Sequence, residues 1–186
     1  LKPEGSEMAM DEYKQGDKTV PYRIVGEYTG TELVGLKYKQ LMPWVKPSAK
    51  LDANAPDFVK EYASENPEKV FMGENGKDQF VEMEECAFRI IPGDYVTTDD
   101  GSGIVHIAPT FGADDAKVAK DAHIPSLFLI NKKGETRPMV DLQGKYYLID
   151  ELDDNFTTKC VSVDNYGSHA GDYVKNAYAP QFNIDG

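Results

Sequence analysis

Residues 69–83 read Lys-Val-Phe-Met-Gly-Glu-Asn-Gly-Lys-Asp-Gln-Phe-Val-Glu-Met. Two short alternating runs, Lys69–Met72 and Lys77–Met83, stand on either side of Glu74-Asn75-Gly76. Asn-Gly between alternating apolar residues predicts a β-hairpin, because both residues tolerate the positive φ that a tight turn requires. The pattern recurs outward. Thr19–Tyr28 and Glu32–Tyr38 are a pair broken at Thr29-Gly30. Asp94–Thr98 and Gly103–Ala108 flank Asp99-Asp100-Gly101, and Leu127–Ile130 and Glu135–Val140 flank Asn131-Lys132-Lys133-Gly134. Helical signals are fewer: Ala55–Ser64 after Asn54, with Phe58, Val59 and Tyr62 on one face, then Asp114–Ala122 and Gly171–Ala177. About six to nine strands with few helices predict an α+β domain that is β-barrel-rich, since closure removes exposed edges. Residues 1–186 are expected to form one domain, with a peripheral insertion at about 47–82 and a few short peripheral helices.

Composition bounds the function. The chain has 186 residues, 40% hydrophobic and 28% charged, which suits a folded core rather than a disordered tail. Its 20 basic and 32 acidic side chains give a net charge of −12, so bulk attraction to a phosphate backbone is excluded. Cys86 and Cys160 have neither zinc spacing nor a companion His pattern, and two reduced thiols in a cytoplasmic protein are expected. No apolar run approaches the length of a membrane span, and no membrane partner is expected. The chain opens on Leu1-Lys2-Pro3 without Met and is expected to be a piece of something longer.

Several chemistries fail on spacing. His106, His123 and His169 are too scattered for a metal site. Gly101-Ser102-Gly103 is a turn rather than a nucleophile elbow, and the third glycine of a dinucleotide fingerprint would fall on His106. The densest constellation is Gly101-Ser-Gly-Ile-Val-His-Ile-Ala-Pro-Thr-Phe-Gly-Ala-Asp-Asp115. Strand alternation sets His106 between Ile104 and Ala108 on one apolar face; Pro109 ends the strand, and Asp114 and Asp115 stand at a helix start. There the free backbone amides and the helix dipole stabilise a carboxylate. Taken alone, either Asp reads as an ordinary helix cap, Asp114 above all, and His106 as a hydrogen-bonded core residue.

This run closely resembles the signature of the editing domain, connective peptide 1 (CP1), of the class I aminoacyl-tRNA synthetases for Ile, Val and Leu. Val105-His106-x-Ala108-Pro109 followed by Phe111-Gly112-x-x-Asp115 is similar to the isoleucyl branch; valyl members typically carry Lys in place of His106. Gly30-Thr-Glu-Leu-Val-Gly-Leu-Lys-Tyr38 and Phe88-Arg-Ile-Ile-Pro-Gly-Asp-Tyr-Val-Thr-Thr98 extend the resemblance over about two-thirds of the chain. A Thr-rich peptide that precedes the first of these in the family does not occur in these residues, and the isolated chain is therefore expected to be weakly active or inactive.

The resemblance implies hydrolysis of misacylated valyl-tRNA(Ile), and of valyl-adenylate, by a water positioned at the ester. Asp115 would hold the substrate ammonium and His106 would exclude isoleucine by size, as the catalytic pair. Thr110, Phe111 and Gly112 would join them in binding substrate. No metal or other cofactor is implied for editing; ATP would serve the synthetic part of the parent enzyme. The implied partners are the valine-carrying 3′ end of tRNA(Ile) and the remainder of the synthetase. The alternatives are a non-catalytic fragment binding an amino acid or the 3′ adenosine, the valyl equivalent, and an unrelated sugar- or nucleotide-binding barrel.

Overall fold

The computed structural model describes residues 14–16, 24–97 and 102–175. They divide into two compact units, the smaller holding the described residues up to 36 together with 90–97 and 102–106, the larger holding residues 37–89 and 107–175.

The larger unit is organised by the hairpin expected from Asn75-Gly76. Strands β2 (Val70–Met72) and β3 (Gln79–Glu82) pair antiparallel with Phe71 opposite Phe80. Gly76 takes φ +65, and the Asn75 side-chain oxygen accepts from the N–H groups of Lys77 and Asp78 at 3.0 and 3.1 Å. Strand β1 (Ser48–Leu51) pairs with the other edge of β3, giving the order β1-β3-β2. Because successive strand residues face opposite ways, Phe80 and Val81 enter different cores. Val81 and Met83 pack with Val59 and Ala63 of helix α2 (Asp57–Glu65). Phe80 and Phe71 pack with Phe156 and Cys160 of helix α4 (Asp154–Cys160), together with Leu129, Ile130, Tyr146 and Tyr166. The sheet thus lies between two helices.

A second hairpin follows the sequence expectation more briefly, with β4 (Leu129–Ile130) antiparallel to β5 (Thr136–Arg137). Its turn docks on the first. Gly134 takes φ +78, and a Cβ added there would collide with the Asp78 carboxylate. The Asn75 amide donates to the Lys133 carbonyl at 3.1 Å, and Lys50 Nζ meets Asp78 Oδ1 at 2.8 Å. Asp153, fully buried, closes the assembly: its carboxylate accepts from Phe156 N–H at 2.8 Å as the cap of α4 and from Glu74 N–H at 2.7 Å in the first hairpin's turn. Glu74 returns the contact, its carboxylate accepting from Asp154 N–H at 2.7 Å.

Helix α3 (Ala113–Asp121) matches the expected 114–122 segment. Helices α4 and α5 (Val163–Gly167) were not foreseen. Gly171–Lys175 is not helical: Tyr173 bridges Lys145 instead, and residues 176 and 177 lie outside the described residues.

In the smaller unit the expected Thr19–Tyr28 and Glu32–Tyr38 hairpin is replaced by a helical turn, α1 (Gly30–Leu33). The cause is local: Thr29 and Glu32 form a capping box, with Thr29 N–H donating to the Glu32 carboxylate at 2.7 Å. Residues 19–23 lie outside the described residues, as do 98–101 of the Asp94–Thr98 and Gly103–Ala108 pair, whose described part holds no strand. Gly35 and Leu36 exchange backbone bonds with Ile90 at 2.8 and 2.9 Å.

The mixture of helices and antiparallel strands is as expected. The β-barrel closure is not found among the described residues: their strands are two to four residues long and form one three-stranded and one two-stranded sheet, too short to curl shut. No helix among them is long and apolar enough to cross a membrane.

Candidate functional site

Pro109 interrupts the extended run, and the chain turns with Phe111 N–H donating to the Ala108 carbonyl at 2.9 Å. Gly112 is extended and precedes α3 as its N-cap, without a side-chain capping bond. Asp115 in the first helical turn folds back, Oδ2 accepting from Ala108 N–H at 2.8 Å. Ala108 is therefore tied through both its N–H and its carbonyl, which makes residues 108–115 a closed corner. Gly112 permits this closeness, since a Cβ there would lie 3.3 Å from Asp115 Cγ. Thr110 Oγ1 donates to the Leu127 carbonyl at 3.0 Å and pins the corner to the approach to β4. At the far end of α3 the Arg89 guanidinium donates to the Ala122 carbonyl, a cation where the dipole is negative.

The half-buried Asp115 carboxylate spends one oxygen on Ala108; among the described residues no group bonds to Oδ1. An ionised carboxylate held by a backbone amide at a helix start can accept a charge-assisted bond from an ammonium group. Phe111, 68% exposed, sets an open aromatic face in the same corner. Asp114 is exposed and stands inside the first turn, so the capping role expected of it falls to Gly112 instead.

Asp115, Thr110, Phe111 and Gly112 thus share one corner of the larger unit. His106 belongs to the smaller unit and is exposed. Its expected strand is absent among the described residues: Ser102 Oγ instead cradles Ile104, accepting from its N–H and donating to its carbonyl at 3.3 and 2.9 Å, and Ile104 is 60% exposed. Alternation assigns faces only where a neighbouring strand fixes the pleat, and none does so here. The sequence reading missed Ala108 and Arg89 as the groups that hold Asp115 and its helix, because backbone donors and a distant guanidinium leave no mark in a motif. No cluster of metal-binding side chains occurs among the described residues.

No family model matches the chain, and neither does any solved structure. The isoleucine–tRNA ligase of Bacteroides thetaiotaomicron is 54% identical to it over 181 residues, 97% of the chain. The chain belongs to the isoleucine–tRNA ligase family. The isoleucine–tRNA ligase of Bacteroides fragilis is 49% identical over 96% of the chain, and that of Porphyromonas gingivalis 42% over 89%. The chain spans only 13%, 12% and 11% of the length of these three ligases.

Proposed function

We infer that this segment is the editing part of an isoleucine–tRNA ligase and hydrolyses valyl-tRNA(Ile), and valyl-adenylate as well. A missing methylene gives only about 1 to 3 kcal/mol of discrimination, a limit for which isoleucine–tRNA ligases are themselves the standing example, so a second, hydrolytic site is needed. The observation that carries the reading is Asp115, fixed through Oδ2 with Oδ1 open to a ligand. In this reading Oδ1 accepts from the α-ammonium of the valyl group, which orients the ester toward a water. An aminoacyl ester is activated enough that orientation suffices, and neither a metal nor a nucleophilic side chain is required. Phe111 covers the apolar side chain, and Gly112 leaves room for the carboxylate. The size gate belongs to His106 on the strength of the resemblance alone. The single editing domain with its insertion near 47–82, the cytoplasmic location, and tRNA(Ile), ATP and the rest of the ligase as partners of the parent enzyme belong to the same proposal.

The test is deacylation of valyl-tRNA(Ile) by the full ligase carrying Asp115→Ala. Loss of a charge-assisted anchor of about 2 to 3 kcal/mol predicts a roughly 30- to 150-fold slower reaction, with isoleucine activation unchanged. Asp114→Ala serves as the control and should deacylate normally. Near-normal clearance by Asp115→Ala would overturn the assignment. His106→Ala is expected to release the gate and permit hydrolysis of correctly charged isoleucyl-tRNA(Ile).

A further inference from the structure

Helix α3 carries Asp115 at its start and is fastened at its other end. Only Ala119 among its nine residues is buried, so packing along its length does little to fix its direction. The end is closed by backbone bonds: His123 N–H donates to the Lys120 carbonyl at 3.1 Å and Ile124 N–H to the Ala119 carbonyl at 2.7 Å. His123 takes φ +56, the left-handed conformation in which glycine most often ends a helix. A side chain retained where glycine would fit with less strain points to a task for that side chain.

The task is visible in the ring. The imidazole of His123 lies parallel to the ring of Phe58, with an interplanar angle of 3° and centroids 4.8 Å apart. Phe58 belongs to α2 and packs against the cluster of Val59, Ala63, Val81 and Met83. The stack therefore ties the end of α3 to the apolar layer between α2 and the three-stranded sheet. The bond from the Arg89 guanidinium to the Ala122 carbonyl is the second fastening at this end. A helix of nine residues is stiff and carries a tilt from one end to the other, about 13 Å away. Without the stack, α3 is free to pivot about the bond between Asp115 and Ala108, and the Asp115 carboxylate turns with it.

We propose that Phe58 and His123 are positioning residues for the Asp115 corner, their stacked rings holding α3 so that Oδ1 stays aimed at its ligand. The proposal rests on the hydrolytic reading of Asp115. The measurement is kcat and KM for deacylation of valyl-tRNA(Ile) by the full ligase, with thermal unfolding of each variant. Phe58→Ala should lower kcat about 2- to 30-fold and leave KM nearly unchanged. His123→Gly should do the same; glycine adopts the left-handed conformation freely, so this variant removes the ring and keeps the helix end. Phe58→Tyr, which keeps a flat ring, should retain the native kcat. In the Asp115→Ala background neither Phe58→Ala nor His123→Gly should slow the reaction further, because the group they position is gone. Native kcat in folded Phe58→Ala and His123→Gly would overturn the proposal, and so would a full additional loss in the Asp115→Ala background. The Asp115→Ala variant alone separates the two readings. If it slows deacylation while the ring variants do not, the positioning role fails and the hydrolytic reading stands; if it deacylates normally, both fall.

Discussion

Asp153 is a buried carboxylate that serves the fold rather than chemistry, since both its oxygens are occupied by backbone amides. Asp153→Ala would leave the N–H groups of Phe156 and Glu74 without their partner, at a cost of about 2 to 5 kcal/mol measurable by urea unfolding. Cys160 is the opposite case, an apolar occupant of the core. Burial pushes its thiol up from the ordinary 9.0 to about 12. Burial also raises the half-buried Cys86 thiol, against the pull of Arg89. In native protein, a thiol reagent should therefore modify Cys86 slowly and leave Cys160 unmodified until unfolding. The sign of the pH effect follows from the same shift. Between about pH 9 and pH 12 the unfolded chain gives up the Cys160 proton while the folded chain keeps it, so the stability from that group, complete below pH 9, is lost as pH rises through this window. Cys160→Ala should flatten the alkaline limb of a stability-against-pH curve.

The two hairpin turns make a comparison between elements possible. Gly76 and Gly134 both have positive φ, but a Cβ at Gly76 meets nothing within 4 Å, whereas at Gly134 it collides with Asp78 and Asn75. Gly76→Ala should cost about 1 to 2 kcal/mol through backbone strain alone. Gly134→Ala should cost clearly more, because the docking of the second turn on the first is lost with it; thermal unfolding of the two variants decides the ordering. These same hairpins were the legible part of the sequence, since Asn75-Gly76 and Gly134 encode their turns in adjacent residues. Helix α4 was not legible. Its seven residues include Thr157 and Thr158 and turn only Phe156 and Cys160 inward, a pair too sparse to reveal a period. The first expected hairpin failed for the reverse reason: Thr29 and Glu32 spell a capping box within a run that otherwise alternates. In the candidate site, Asp115 was legible through its motif. The bond to Ala108 and the exposure of His106 depend on loop closure, which spacing does not encode.

Across the whole molecule, burial is uneven. Every buried hydrophobic side chain among the described residues lies in the unit of residues 37–89 and 107–175. Hydrogen exchange should accordingly be slowest at Phe80, Val81, Leu129 and Ile130, and fast through residues 24–36, 90–97 and 102–106. Equal protection of both sets would contradict this ranking. The clasp between Glu74 and Asp153 joins groups 79 positions apart. A ribosome adding about 5–20 residues per second would expose the first hairpin's turn for roughly 4–16 s before Asp153 is even synthesised. During that interval β2 and β3 present the apolar face of Phe71 and Phe80 without the helix that covers it, so the nascent chain is most prone to mispairing after its strongest local signal has already been translated.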